Sequence, residues 1–380
     1  MKVLYICPTS EFYGDGKALL NIIPKLIKSG VEPVFVTPFS GTFSDKVREL
    51  GLECIICNFG SWTTYKGRLS LFIIMGFLYH YLIELRSYRH LRKTIKKLRP
   101  DIIHSNSTTT SIGYRLAKDL KIPHVWHIRE YGLLDHGWNH FPTKSSFEHR
   151  FVSLNNYSIS ITPSVYNYNN HPNNGIVIYD GVFDTDRIPV IRESDDYYFL
   201  YVGRVIESKG VMELVKTYKQ YAEKKTSPCI LKIVGDGCLI PSLEKWIYDN
   251  GMTNYIELLG YKSNVGELMS RAKALIVPSP NEAFGFITAE AMFNGCPVIG
   301  KDSAGTKMQF DNCYNIMGKD IAYRYQSQSE LLTFLNTVCG IERKDILGML
   351  KDAQDCVIRL YSTSTSANSV YNYYTKILSL

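Results

Sequence analysis

Two glutamates, Glu282 and Glu290, lie eight residues apart in the stretch IVPSPNEAFGFITAEAMFNGCPVI, from Ile276 to Ile299. The stretch reads as a buried strand ending at Pro278, a Pro/Asn turn carrying Glu282, and a helix that Gly295 stops before Pro297 opens the next strand. Glu282 then sits at a strand's carboxyl end and Glu290 about one turn into the helix, with the amides of Gly285, Phe286 and Ile287 between them. A helix N-terminus presents unpaired N–H groups and a partial positive charge, which makes this a place for a phosphate. Carboxylates accept hydrogen bonds from hydroxyls, and a sugar nucleotide carries hydroxyls on either side of its diphosphate. One glutamate would hold the sugar and the other the ribose. Taken as two glutamates alone, the pair also fits a favourable charge near a helix start and a solvated helix residue.

Three further spots place chemistry at strand ends. In YYFLYVGRVIESKG, Arg204 follows a strand and Lys209 opens a helix. Two cations at such a turn suit a diphosphate, Arg through bidentate contacts and Lys as a point charge. In IPHVWHIREYG, His127 and Arg129 occupy the carboxyl end of a strand, the end at which open α/β sheets bind ligands. Near the N-terminus, Gly14 and Gly16 follow the first strand and let the backbone come close to a bound group, although no third glycine completes G-x-G-x-x-G and a nicotinamide site is excluded.

Nearly the whole chain resembles the retaining nucleotide-sugar glycosyltransferases of family 4. The likeness is strongest from Val202 to Gly305, where Glu282 and Glu290 form the E-x7-E signature. The resemblance implies an α/β chain of two Rossmann-like lobes (the GT-B fold) with a deep interlobe cleft. It makes Arg204 and Lys209 the diphosphate clamp, Gly235 and Gly237 the wall around the nucleotide base, and Gly16 part of a loop that approaches the donor phosphates from the opposite lobe. Phe286, Ile287 and Glu290 complete the donor contacts, His127 meets the donor sugar near the reacting carbon, and Glu282 is catalytic. The string WHIRE is similar to bacterial members that build surface polysaccharides, capsule included. The chain departs from the family at Asp180, where Asn is usual, at Phe183, inserted where Asp is common, and at Met308 or Gln309, where relatives often have Glu.

What these residues imply chemically is transfer of a sugar from a nucleotide-sugar donor to a glycan or lipid-linked acceptor. Retention follows from the resemblance. Glu282 has no second carboxylate as acid partner, so a front-face route fits better, in which the leaving phosphate takes the acceptor proton. No D-x-D pair is placed to hold a divalent ion, since Asp184 and Asp186 lie at the interlobe segment, so the expected reaction needs neither metal nor other cofactor. The rival readings are a sugar-nucleotide epimerase of the same fold and a noncatalytic partner subunit; the presence of Arg204, Lys209, Glu282 and Glu290 argues against the second.

The elements that must position these groups follow from the patterning. The 380 residues, 45% hydrophobic, suffice for two cores. Residues 1–186 read as an N-terminal lobe for the acceptor, 187–196 as a charged, Pro-containing linker, 197–361 as the donor lobe, and 362–380 as a helix returning to the first lobe. Strands alternate with helices throughout, which implies parallel sheets. The net charge of +7 has no long basic tract with interleaved aromatics, so nucleic acid is not an expected partner. Nine cysteines, an odd number scattered along the chain, fit a reducing compartment better than a disulfide framework, and Cys54 and Cys57 read as buried strand residues. The short apolar start MKVLYICP is a first strand and not a signal peptide, so a cytoplasmic protein is expected. From Leu69 to Arg99 an apolar run too short to span a bilayer passes into seven basic residues with no acidic ones. Two readings of it stay open: contact with an anionic membrane surface on the inner face of the plasma membrane, or a helix with one face in the core and its basic half in solvent.

Overall fold

The computed structural model describes residues 1–12, 14–65, 71–141, 143–170 and 174–380, the side chains of 65, 71–74 and 80 aside. It divides into two compact units: Met1–Asp184 together with Thr363–Leu380, and Thr185–Ser362. The first unit contains strands β1 (Lys2–Ile6), β2 (Glu32–Thr37), β3 (Glu53–Ile56), β4 (Thr63–Tyr65), β5 (Ile102–Asn106), β6 (His124–Ile128), β7 (Trp138–His140), β8 (Asn156–Ser160) and β9 (Gly175–Val177). Seven of them form one parallel sheet in the order β3-β2-β1-β5-β6-β8-β9, while β4 and β7 pair antiparallel outside it. The second unit holds β10 (Tyr198–Val202), β11 (Ile230–Val234), β12 (Ile256–Leu258), β13 (Ala274–Val277), β14 (Val298–Lys301) and β15 (Tyr323–Tyr325), parallel in the order β12-β11-β10-β13-β14-β15.

Both sheets are buried on two faces, which is why their strands read as continuous apolar runs. Side-chain alternation along β1 shows it: Val3 and Tyr5 join a core with Ile23 and Leu26 of the Gly14–Lys28 helix and with Val370 and Tyr374 of the C-terminal helix. Leu4 and Ile6 point the other way, onto Leu91 and Ile95 of the Leu71–Leu98 helix and Ile112 and Leu116 of the next. The C-terminal helix, Thr363–Leu378, is thus a structural part of the first unit.

In each sheet the strand order reverses once, between β1 and β5 and between β10 and β13. The crevice beyond the carboxyl ends of the two strands at such a point is where open α/β sheets bind ligands. Residues 187–196 form no helix or strand but are tied down: Asp195 pairs with Lys273, Asp196 with Arg271, and the Arg343 guanidinium donates to the Arg192 carbonyl.

Two expectations differ. The first helix begins at Gly14 itself, so Gly14 and Gly16 are helical and not a preceding turn. Among the scattered cysteines, Cys313 and Cys356 form a disulfide, Cα atoms 5.7 Å apart, joining helices Ala304–Met317 and Leu347–Tyr361. Their separation of 43 residues gave no sequence signal. Cys54 is half-buried on β3 and Cys57 is buried just beyond it.

Candidate functional site

In the second unit, the loop that leaves β10 at its carboxyl end lies against those that leave β11 and β13 because glycines allow backbone on backbone. A Cβ on Gly235 would fall 1.9 Å from the Gly203 carbonyl oxygen, one on Gly237 2.2 Å from that of Val205, and one on Gly210 2.7 Å from that of Pro278. Gly203 and Gly235 also have φ of 159° and 139°, backbone that other residues rarely adopt. Gly235 therefore builds the turn, as a wall at the strand end. Arg204, second out of β10, is exposed, and its carbonyl accepts from the Tyr201 hydroxyl at 2.8 Å.

Lys209 ends a short 3-10 turn, and its Nζ donates to Glu282 Oε1 at 2.6 Å. Both side chains keep about a fifth of their surface, at 21% and 17%, so the pair is open to a ligand. Burial raises the Tyr201 phenol above its ordinary range, with the Glu282 charge adding to the effect, which keeps it a neutral donor beside the site. Glu282 stands on a loop fixed by its own backbone: the Gly305 N–H donates to the Glu282 carbonyl at 2.7 Å, an approach that a Cβ on Gly305 would block. Gln309, fully buried, donates its amide to the carbonyls of Phe284 and Gly285 at 2.7 and 2.9 Å. That accounts for the departure at this position: two carbonyls need a donor, and an ionised Glu has none.

Gly285, at φ 90°, turns the chain into the helix Phe286–Phe293. Phe286, Ile287 and Glu290 are all half-buried on its first turns. The Thr288 N–H turns back to the Gly285 carbonyl at 3.0 Å, and the helix end brings positive potential next to Lys209 and Glu282. The hydroxyls of Thr288, Ser303 and Thr306 are buried nearby in sequence without a hydrogen-bond partner among the described residues. The carboxyl ends of β10, β11 and β13 thus carry Arg204, Lys209, Gly235 and Glu282 on loops, and Phe286, Ile287 and Glu290 stand on the helix that follows β13.

The first unit builds a different cluster at its own switch point. His127, on β6, is 2% exposed, and its Nδ1 lies 3.2 Å from His104 Nε2 on β5 and 3.2 Å from Arg129 Nη2. Arg129 donates through Nε to Asn106 Oδ1 at 2.7 Å and through Nη1 to Asp180, with both charged side chains at most 5% exposed. This explains Asp180 in place of Asn: a buried guanidinium requires a partner. Burial pushes the Asp180 carboxyl up, and Arg129 offsets part of that. Burial, with Arg129 and His104 adding, holds His127 well below the ordinary histidine range, so its ring is neutral at pH 7. Glu130 accepts from the Ser107 hydroxyl and from the Thr108 N–H and hydroxyl at 2.7, 2.8 and 2.8 Å, holding Ser107 at φ 125°. Asn106 in turn donates to the Asp15 carbonyl at 3.2 Å.

Gly16 is buried in this unit, and a Cβ there would meet the Phe43 ring at 2.7 Å. Close packing on Phe43 accounts for this glycine. Phe183, the inserted residue, is 9% exposed and its carbonyl accepts from the Thr363 N–H at 3.0 Å, at the start of the C-terminal helix. Asp184 pairs with Lys25. Sequence reasoning passed over His104 and Asn106, although DIIHSNS ends a strand as WHIRE does; it had no signal for Gln309 as a loop clasp or for Tyr374.

The helix Leu71–Leu98 has a buried face and an exposed basic half, as the second of the two readings has it. Leu91 and Ile95 are buried, and Glu84, fully buried, accepts from Trp62 Nε1 at 2.6 Å and from Arg115. Met75, Leu78, Tyr79 and Leu82, spaced one and two turns apart, are 55–64% exposed. Arg86, Arg89, Lys93, Lys96 and Lys97 are exposed beyond them. Leu69 and Ser70, at the start of the expected segment, lie outside the described residues. No helix among the described residues is long and apolar enough to cross a membrane.

Each unit matches a glycosyltransferase family model. Residues 182–315 match the family model described as glycosyl transferases group 1, and residues 14–160 match the glycosyl transferase 4-like domain. An uncharacterized glycosyltransferase of Methanocaldococcus jannaschii is 31% identical over 236 residues, which are 59% of this chain and 62% of that one. The chain therefore spans about three-fifths of the length of that relative. The N,N'-diacetylbacillosaminyl-diphospho-undecaprenol alpha-1,3-N-acetylgalactosaminyltransferase of Campylobacter jejuni is 23% identical over 318 residues, 77% of this chain and 79% of that one. Among solved structures, Anabaena HepE in complex with UDP superposes with a TM-score of 0.77 at 17% identity, covering 99% of this chain and 100% of that one; the same protein has been solved with UDP-glucose. These structural likenesses show the fold, a two-domain GT-B-like α/β architecture.

Proposed function

Starting from a GT-B-like fold whose two units each match a glycosyltransferase domain, we propose that this protein is a retaining, metal-independent glycosyltransferase of the family 4 type. It transfers a sugar from a nucleotide-sugar donor to a glycan or lipid-linked acceptor in cell-surface polysaccharide synthesis. The observation that carries the reading is the ion pair Lys209–Glu282, 2.6 Å long and partly open, beside exposed Arg204 and the N-terminus of the Phe286–Phe293 helix. Cations and helix amides at one strand end suit the diphosphate of a donor; a carboxylate in their midst suits the hydroxyls of its sugar.

On this reading, Arg204, Lys209 and the amides of Phe286 and Ile287 stabilise the charge that grows on the leaving diphosphate, with ~2.7–4 kcal/mol from one strong donor. Glu282 orients the sugar and balances positive charge at its anomeric carbon, Glu290 holds the ribose, and Gly235 lies against the base. The C1–O bond to the phosphate breaks as the acceptor oxygen adds on the same face, and the leaving phosphate oxygen takes the acceptor proton. His127 contacts the donor sugar, and Gly16, near the start of the Gly14–Lys28 helix, belongs to the donor contacts. The relative from Campylobacter supports the acceptor class, its name being that of a transferase acting on a diphospho-undecaprenol.

Contact with an anionic membrane from the cytoplasmic side belongs to the same proposal. It is supported by the exposed apolar stripe Met75, Leu78, Tyr79 and Leu82 followed by an exposed basic run. Product stereochemistry tests the whole: a product with the anomeric configuration of the donor, formed at an unchanged rate in EDTA, is expected. Inversion, or loss of turnover on chelation restored by a divalent ion, would overturn retention or metal independence respectively.

A further inference from the structure

His127 carries a question that its role as a sugar contact leaves open, namely which of its nitrogens bears the proton. The ring is 2% exposed, and its Nε2 is buried without a hydrogen-bond partner among the described residues. Its Nδ1 faces Arg129 Nη2 at 3.2 Å. A guanidinium has donors only, so Nδ1 must present its lone pair and the proton must sit on Nε2. Arg129 cannot turn away, because Asn106 holds its Nε at 2.7 Å and Asp180 holds its Nη1.

The second group at Nδ1 is His104 Nε2, also at 3.2 Å. Two lone pairs cannot face each other there, so His104 carries its proton on Nε2 and accepts on Nδ1. What donates to that Nδ1 is the hydroxyl of Tyr374, 2.7 Å away, on the C-terminal helix. The same hydroxyl is also placed to donate to Tyr5 Oη at 3.3 Å, and its one proton goes to the shorter contact, His104 Nδ1. Tyr374 and His104 are fully buried, so no bulk water substitutes for either.

We propose that Tyr374 and His104 are positioning residues that, with Arg129, hold His127 as its Nε2–H tautomer, so that a buried donor is presented to an oxygen of the donor sugar. The order is Tyr374 O–H to His104 Nδ1, then His104 Nε2–H to His127 Nδ1, leaving His127 Nε2–H for the substrate. The last 18 residues of the chain thereby take part in the site through a residue 270 positions from its partner. The inference deepens the proposed role of His127 and rests on it for its purpose, though not for its test.

The test is a long-range proton–nitrogen NMR spectrum of the full chain labelled with ¹⁵N-histidine, without substrate, at pH 7.5. The His127 signals are assigned by their loss in His127→Gln. The wild type is expected to show His127 protonated on Nε2 alone. Tyr374→Phe should raise the share of the Nδ1–H form about tenfold, the consequence of losing one hydrogen bond from the chain. Tyr5→Phe should leave the pattern unchanged, and His104→Gln, which keeps a donor amide, should preserve it better than His104→Leu. A His127 protonated on Nδ1 in the wild type, or one indifferent to both Tyr374→Phe and His104→Leu, would overturn the proposal. Where a variant does not fold, the wild-type His104 signals decide: protonation on Nε2 alone is expected, and protonation on Nδ1 would overturn the proposal. Failure of the functional reading would look different: unchanged release of UDP from UDP-glucose in His127→Ala, whatever the tautomer.

Discussion

The two switch points use opposite strategies. In the second unit, Arg204, Lys209, Glu282 and Glu290 are exposed or half-buried, and the ion pair among them is surrounded by loop backbone that glycines and Gln309 hold in place. In the first unit, His127, His104, Arg129, Asn106 and Asp180 are fully buried and satisfied mainly by one another. An open pair can exchange partners with an incoming ligand at little cost to folding. A buried network is part of the core, where removing one member leaves the rest uncompensated. The first should therefore break as activity with the fold intact, the second as stability.

The largest effect is expected in the buried network. Arg129→Met leaves Asp180 buried and unpaired and should destabilise the first unit by ~3–5 kcal/mol, with much of the loss recovered in the double variant Arg129→Met/Asp180→Asn. Chemical denaturation followed by unit-resolved hydrogen exchange checks both; additive losses would break the comparison. Next, Lys209→Ala should lower turnover by about 10²–10³-fold, the effect of removing one strong donor to the developing charge, while its unfolding midpoint stays close to wild type. A large drop in melting temperature would show that the pair is structural.

Acid should separate the units more mildly. Among the described residues, every histidine lies in the first unit, at 80, 90, 104, 124, 127, 136, 140 and 149. Burial, first of the causes, lowers His124 to about 3 and His140 to about 4. With folded values below the ordinary 6.5, the unfolded chain binds more protons below that pH. The contribution is complete above about pH 6.5 and fades as pH falls toward the folded values. By pH 5.5 each of the two should have removed ~1.4 kcal/mol from the first unit alone. Hydrogen exchange at pH 7.5 and 5.5 reads the difference, and an equal loss in both units would contradict it. Smallest is Gln309→Leu, which strips the donors from the Phe284 and Gly285 carbonyls and should cost ~1–3 kcal/mol locally, seen as faster exchange in residues 282–286.

How much of this was legible follows the same division. Glu282, Glu290, Arg204 and Lys209 announce themselves because each stands at a fixed offset from a strand end or helix start, so their geometry is nearly local in sequence. His127 and Arg129 were visible by the same rule. Their partners were not: Asp180 looked like a departure until Arg129 was found beside it, and Tyr374 reaches His104 only through the packing of the C-terminal helix on the first core. Gly16 was misread in part for the reverse reason, since a glycine near a strand end has two uses, and Phe43 supplies the packing one. The Cys313–Cys356 bridge likewise depends on how two helices meet. Patterning reveals which loops face a crevice; long-range contacts decide which side chains there are already engaged.

The claim on which the rest depends is that the second unit's switch point binds a nucleotide sugar through these residues. A thermal-shift panel of UDP-, GDP-, dTDP- and CDP-linked sugars on the wild type and on Glu290→Ala, with no metal added, tests it most directly. One donor should raise the wild-type melting temperature, since binding to the folded state alone contributes about 2.7 kcal/mol at a hundredfold excess over Kd, and the variant should lose the shift. No response from the wild type to any donor, or an equal response from Glu290→Ala, would contradict the account.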